Sequence, residues 1–303
     1  MRSKSLLTVI CSVMLGSLVL GPTHAQQIFS GVGAGAATAF QDMKNAIGGV
    51  NNGGGGGPQV GGFRTIDWDA VKLDGTDFGG NTTVIDLNHT IGIPTNRFQA
   101  RGLVFAEEYS VSGDQFATVN PDTATNFNFF SPSNTFVMFD ASSDKFDDRF
   151  IDQHFTFAGT PNQAGTRGFG AIFNDVERAG SSSIEYFGHD ANGNLVSLGK
   201  FDVPVGASGE SEFLGVLFAQ PIVTDVTLTV GDKTLFNFDG ATFHSFGPED
   251  PAGGTDLVIT DDFLFAEATT FVTVVPEPSA AAVLACGVLL LTAQRVRRHR
   301  RRR

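Results

Sequence analysis

The chain has 303 residues, with 20 Lys and Arg against 32 Asp and Glu and a formal net charge of −12. Its basic residues gather at the two ends, which leaves 11 Lys and Arg against 31 Asp and Glu between residues 26 and 275, a formal −20. So acidic a body repels nucleic acid and anionic lipid and attracts cations, which excludes nucleic-acid binding, and the length suffices for a sizeable core.

Residues 1–25 carry the marks of a secretory signal. Arg2 and Lys4 precede an apolar run from about Leu6 to Leu20, and Thr23-His24-Ala25 has the small-residue spacing of a cleavage site after Ala25. The only cysteines, Cys11 and Cys286, lie in terminal apolar runs, so the body holds neither a disulfide nor a thiolate metal site. In residues 26–62, Phe40, Met43 and Ile47 recur at helical spacing, and the tract NNGGGGGPQVGG that follows has the composition of a flexible linker. The folded domain is therefore expected over 63–273.

Within that span strands alternate with turns. The 29 Phe, set against 2 Tyr and 1 Trp, suit pleated surfaces, and 37 Gly supply turns. Alternation in PIVTDVTLTVGD puts Ile222, Val226, Leu228 and Val230 on one face, as in a half-buried strand. SEFLGVLFAQP is apolar on both faces from Phe213 to Phe218 and reads as a central strand. Asn192-Gly193, between two β-rich runs, predicts a hairpin whose two turn residues both take positive φ. Further strands are expected in RTIDWDAVK, GLVFAEEYSV, NTFVMFD, FIDQHFTF, RGFGAIF and DLVITDDFLFAE. Roughly ten strands without a βαβ rhythm imply an all-β, antiparallel β-sandwich, jelly-roll-like in order. It is flanked by the N-terminal signal helix and a C-terminal transmembrane helix.

The C-terminal 30 residues, 274–303, combine three parts: Val275-Pro276-Glu277-Pro278-Ser279, an apolar helix over 279–294, and an arginine-rich tail over 295–303. The apolar stretch from Ser279 to Ala293 makes roughly 22 Å of helix, barely enough for a bilayer core of about 30 Å. Arg295, Arg297, Arg298 and Arg300 are a membrane stop that keeps the tail cytoplasmic and the body on the far side. This arrangement resembles the PEP-CTERM sorting signal of exopolysaccharide-producing bacteria. The resemblance implies recognition of Pro276, Glu277 and Pro278 by exosortase, a membrane protease that removes the helix and tail. The stretches TIDWDAV, RGFGAIFNDVE, SIEYFGHDANGNLVSLGKFDVP, SEFLGVLFAQP and GGTDLVITDDFLFAE also resemble an uncharacterised β-sandwich domain of PEP-CTERM proteins, which implies a fold and no activity.

Catalytic templates are absent from the sequence. Gly206-Ala207-Ser208-Gly209-Glu210 misses a nucleophile elbow at its last position, and His89, His154, His189 and His244 stand tens of residues apart. Asp67 and Asp69, sharing a strand face around Trp68, are the best pair for glycoside hydrolysis, but they read more readily as solvated strand-edge acids. GGNTTVIDL is one imperfect copy of a calcium-binding nonapeptide, and one copy cannot build a β-roll. No cofactor is called for. A structural calcium is the ion best motivated, at Asp140, Asp144, Asp147 and Asp148 or at Asp261 and Asp262, where hard oxygen ligands crowd into turns.

The functional expectation is a non-enzymatic protein exported across the inner membrane and held there briefly by its C-terminal helix. It is then sorted to the cell envelope or extracellular matrix, with signal peptidase and exosortase as partners. Two other classes compete. A carbohydrate-binding module of the exopolysaccharide would use exposed aromatics, for which Trp68, Tyr109 and Tyr186 are the non-Phe candidates. A glycoside hydrolase would rest on Asp67 and Asp69.

Overall fold

The computed structural model describes residues 26–139 and 146–274. Ala25, Asp140, Asp144, Pro276, Glu277, Pro278, Arg295, Arg297, Arg298 and Arg300 lie outside the described residues, as does the helix expected over 279–294. Among the described residues no helix is long and apolar enough to cross a membrane.

In chain order the elements are β1 (Gln26–Val32), α1 (Ala34–Ile47), β2 (Phe63–Ile66), β3 (Thr83–Asp86), β4 (Thr90–Ile93), β5 (Leu103–Phe105), β6 (Tyr109–Ser112), β7 (Thr135–Val137) and β8 (Phe150–Phe155). They continue through β9 (Gly168–Asn174), β10 (Ser183–His189), β11 (Leu195–Asp202), β12 (Ser211–Phe218), β13 (Asp225–Thr229), β14 (Phe236–Phe238), β15 (Phe243–Ser245) and β16 (Ile259–Ala266). A nine-stranded sheet runs β1-β12-β9-β16-β7-β6-β4-β3, with β2 also pairing β16; a five-stranded sheet runs β11-β10-β13-β8-β5; β14 and β15 form a hairpin. Neighbouring strands pair antiparallel throughout.

The two large sheets face each other over one aromatic core. Phe155 of the smaller sheet meets Phe265 of the larger at 5.5 Å between ring centroids, and Tyr186 meets Phe218 at 5.8 Å. Trp68 stacks flat on Phe136 at 4.0 Å and receives the edges of Phe98 and Phe263 at 5.1 Å each. Such pairs add about 0.5–1.5 kcal/mol each beyond area burial.

Period-two alternation explains why the central strands read as apolar on both faces. In β12, Leu214, Val216 and Phe218 enter the inter-sheet core, while Phe213 and Leu217 lie under α1. The same division puts Phe169, Ala171 and Phe173 of β9 inside and Ile172 outside, and Phe263 and Phe265 of β16 inside with Leu264 outside. The outer set is covered by Ala36, Ala39, Phe40 and Met43, one face of α1 at helical spacing. Helix and strand touch closely because Gly215 has no side chain: a Cβ there would stand 2.4 Å from the Met43 sulfur.

The folded unit therefore includes Gln26–Ile47 and does not begin near Phe63. β1 pairs along its whole length with β12, from Gln26 opposite Phe218 to Val32 opposite Glu212. The glycine tract is not a free linker either. It wraps the guanidinium of Arg64, which is wholly buried and donates to the carbonyls of Gly53 and Gly57 at 2.7 and 2.8 Å. Two amide donors of the tract, Asn52 Nδ2 and the Gln59 backbone, close on Glu267 at 2.8 and 3.0 Å. Glycine-rich composition signals freedom in an isolated chain, and here a buried ion pair fixes it.

Two further expectations change in detail. GLVFAEEYSV is two strands in different sheets, β5 in the smaller and β6 in the larger, with exposed Glu107 and Glu108 in the crossing between them. At the hairpin from β10 to β11 only Gly193 takes positive φ, 80°, while Asn192 does not. The turn closes through Gly193 N to Asp190 O at 3.0 Å, and the Asp190 carboxylate takes the amides of Asn192 and Asn194 at 2.8 and 2.9 Å. That side chain does the work a second left-handed residue would do. GGNTTVIDL contributes β3, which folds back antiparallel onto β4.

Candidate functional site

Where β9 ends, the chain turns at Asp175 in a left-handed conformation, φ 74°, unusual for a non-glycine residue. The turn sends the Asp175 side chain into the protein, where it is fully enclosed. Glu177 follows two residues on, half-buried, and Glu249 arrives from the loop between β15 and β16. Each offers one carboxylate oxygen to a cluster in which all three oxygens lie within 4.8 Å of one another. It is the one such convergence of three or more acids or histidines among the described residues.

Neighbouring groups hold the cluster in shape. Gly209 donates its amide to Asp175 Oδ1 at 2.6 Å, while Asp175 Oδ2 has no hydrogen-bond partner. Asn126 Nδ2 donates to Glu249 Oε1, and the Leu257 amide donates to its Oε2 at 3.2 Å. Behind Asp175 sits Glu212 on β12, wholly buried, accepting the Val176 amide at 3.3 Å.

Electrostatically the region is one-sided. Burial first, then the negative charge of Asp175, pushes Glu249 up to about 8. Burial raises Asp175 as well, against the lowering effect of the Gly209 amide. Glu177 is raised by burial and then by Asp175 and Asp256. Glu212 is pushed up to about 9, chiefly by burial, and so is a neutral acid at pH 7. The nearest arginine by sequence, Arg178, turns its guanidinium to Asp232 at 3.0 and 3.1 Å instead. Facing carboxylates in such a place either share protons or surround a cation. Asp175 is sealed from solvent, so a sugar cannot reach it.

The acids singled out from sequence are placed differently. Asp261 and Asp262 form a bulge in β16, where pairing with β9 skips from Thr260 to Phe263. Asp261 Oδ2 takes the Phe130 amide at 2.8 Å, and Ser131 Oγ donates to Asp262 Oδ1 at 2.8 Å. Burial and mutual repulsion raise Asp261; burial leads for Asp262 as well, with Asp67 adding to it and Lys44 opposing it. Asp147 is ion-paired with Lys233, and Asp148 follows it just before β8. Neither pair joins the three-acid cluster.

Asp67 and Asp69 do not share a strand face, because β2 ends at Ile66 and Trp68 has φ 62°. Asp69 instead receives the backbone amides of Ser133 and Asn134 at 2.6 and 3.2 Å. Trp68, Tyr109 and Tyr186 are 0–1 % exposed, so none presents a ring to a glycan. The four histidines fall on separate elements: His89 pairs with Asp86 at 2.6 Å, His189 meets Thr224 at 3.0 Å, and His154 and His244 lie on β8 and β15.

Sequence reading missed Asp175, Glu177 and Glu249. The available signal was FNDVE, two acids directly after an apolar strand, but Glu249 lies more than 70 residues away and only the folded sheet brings it near. Comparison of the chain with protein-family models, with curated proteins and with solved structures finds no match in any of the three.

Proposed function

We propose that this chain is an exported, exosortase-sorted protein of the cell envelope or extracellular matrix. Its jelly-roll-like β-sandwich serves as a non-catalytic module. The reading rests on the two terminal signals, Arg2 to Ala25 and Pro276 to Arg303. One structural observation supports it. β1 pairs with β12 from Gln26 to Val32, and Val274 donates its amide to His189 O at 2.7 Å, so the described strands lie between the expected leader cleavage and Pro276-Glu277-Pro278. Processing at both points would leave every described strand intact, including β1 at the sheet edge. A cut ten residues further in would remove β1.

Mass spectrometry of the mature protein from its own bacterium tests this. The expected product begins at Gln26 and lacks the arginines from Arg295 onward. A secreted product that retains those arginines at full mass overturns the sorting reading, and a cytosolic product with its leader attached overturns export.

A further inference from the structure

We propose that Asp175, Glu177 and Glu249 form a binding site for one divalent cation, with calcium the ion their chemistry fits. The convergence of three carboxylate oxygens within 4.8 Å is the first observation. By itself it says little, since acids are abundant in this chain. The second is independent: Asp175 is wholly enclosed, its Oδ1 is taken by the Gly209 amide, and its Oδ2 has no hydrogen-bond partner. Buried polar atoms are nearly always satisfied, so an orphaned carboxylate oxygen beside two further carboxylates takes either a shared proton or a cation, and the test below separates the two. Among the described residues no side-chain cation pairs with it. The charged groups that act on Glu177 and Glu249 are themselves acids, Asp175, Asp256 and Glu177, and Arg178 is engaged with Asp232.

The donor set selects the ion. All three ligands are hard oxygens, and the body has no cysteine and no histidine in the cluster, which disfavours zinc and copper. Oxygens within 4.8 Å of one another fit around a calcium bound at about 2.3–2.6 Å. Three carboxylates leave room for water or carbonyl oxygens, as calcium's six to eight ligands require. An ion there would add a link between the turn after β9 and the loop before β16, which already meet where Asp256 takes the Glu177 and Arg178 amides at 3.3 and 3.2 Å.

Asp147, Asp148, Asp261 and Asp262 are not among the three ligands, and the site stands whether or not the sorting reading holds. The test is the thermal melting of the chelator-stripped full chain in EDTA or in millimolar CaCl2, with calorimetry for stoichiometry. Calcium is expected to bind one per chain and to raise Tm by about 3 °C or more. Glu177→Gln/Glu249→Gln is expected to melt at or above the wild type in EDTA and to lose the calcium response. Asp140→Asn/Asp144→Asn is expected to keep it. If the double glutamine variant fails to fold, the single Glu177→Gln, at a half-buried position, is expected to weaken calcium at least about tenfold. An unchanged Tm in calcium overturns the proposal, as does a calcium response that survives in the glutamine variants or disappears only with Asp140→Asn/Asp144→Asn.

Discussion

Arg64 and Glu267, 203 residues apart, meet in a fully buried two-point ion pair, Nε to Oε2 at 2.7 Å and Nη2 to Oε1 at 2.9 Å. They join β2 to the end of β16 and organise the glycine tract around them. Removing one partner strands the other as a buried charge. Arg64→Ala is expected to cost about 3–5 kcal/mol in urea unfolding and to open the tract near Gly53–Gly57 to proteases. Arg64→Met/Glu267→Leu is expected to cost less than the sum of the two single changes. A single-variant loss below about 1 kcal/mol would show the pair to be incidental.

A second prediction concerns the helix-covered face. Gly215 stands opposite Gly170 in the β9–β12 register, and a side chain at 215 would meet Met43 and Phe213. Gly215→Val is expected to lower stability by about 1–3 kcal/mol through overpacking. Deletion of residues 26–47 is expected to do more, since it uncovers Ile172, Phe213, Leu217 and Leu264 together and should yield soluble aggregates in size-exclusion chromatography. A monomeric, cooperatively melting deletion product would contradict the role given to α1.

The Asp261-Asp262 bulge makes a pH prediction. Burial raises both carboxyls in the folded state, with mutual repulsion adding to Asp261, so the native protein holds protons that the unfolded chain has released. The stability this pair contributes is complete below about pH 4 and is lost as pH climbs through the raised folded values, about 6 for Asp262 and about 8 for Asp261. In EDTA, Tm should therefore fall between about pH 5 and pH 8.5, and Asp262→Asn should flatten that fall while changing little at about pH 4. Asp67 and Lys44 also face Asp262, with opposite effects, so Lys44→Gln should steepen it. A Tm that rises over this range in EDTA would reverse the assigned sign.

The single tryptophan gives a direct optical check. Trp68 is 1 % exposed, stacked on Phe136, and its Nε1 donates to Asp261 O at 2.6 Å. Native emission should be blue-shifted and resistant to acrylamide, and Trp68→Ala should cost about 3–5 kcal/mol. Quenching as free as in the urea-unfolded chain would place the ring outside the core.

Legibility in the sequence followed the length over which a pattern repeats. β13 and the β10–β11 hairpin extend over enough residues for alternation or a turn signal to declare itself, and β12 shows instead as an unbroken apolar run. The three- and four-residue strands β3, β4 and β14 went unread, while β2, β5, β6 and β7, equally short, lay in β-rich stretches that were read. β1 was hidden for another reason: Gln26, Gln27 and Ser30 are polar and exposed, and the strand is held by backbone pairing with β12 and by the buried ring of Phe29 under α1. The glycine tract misled because its order comes from Arg64 and Glu267, and no local property of the tract encodes either. The acid cluster was invisible for the same cause, as Asp175 and Glu249 become neighbours only when β9 and β16 pair.

That last pairing bears on how the molecule comes into being. β16 lies between β9 on one side and β7 and β2 on the other, so the centre of the large sheet is supplied by the stretch of the domain that emerges last from the ribosome. A chain delivered amino end first has edges and no middle until then, and such late, distant closure makes for slow folding. The two halves of the large sheet can therefore lock together only after the carboxyl end has caught up.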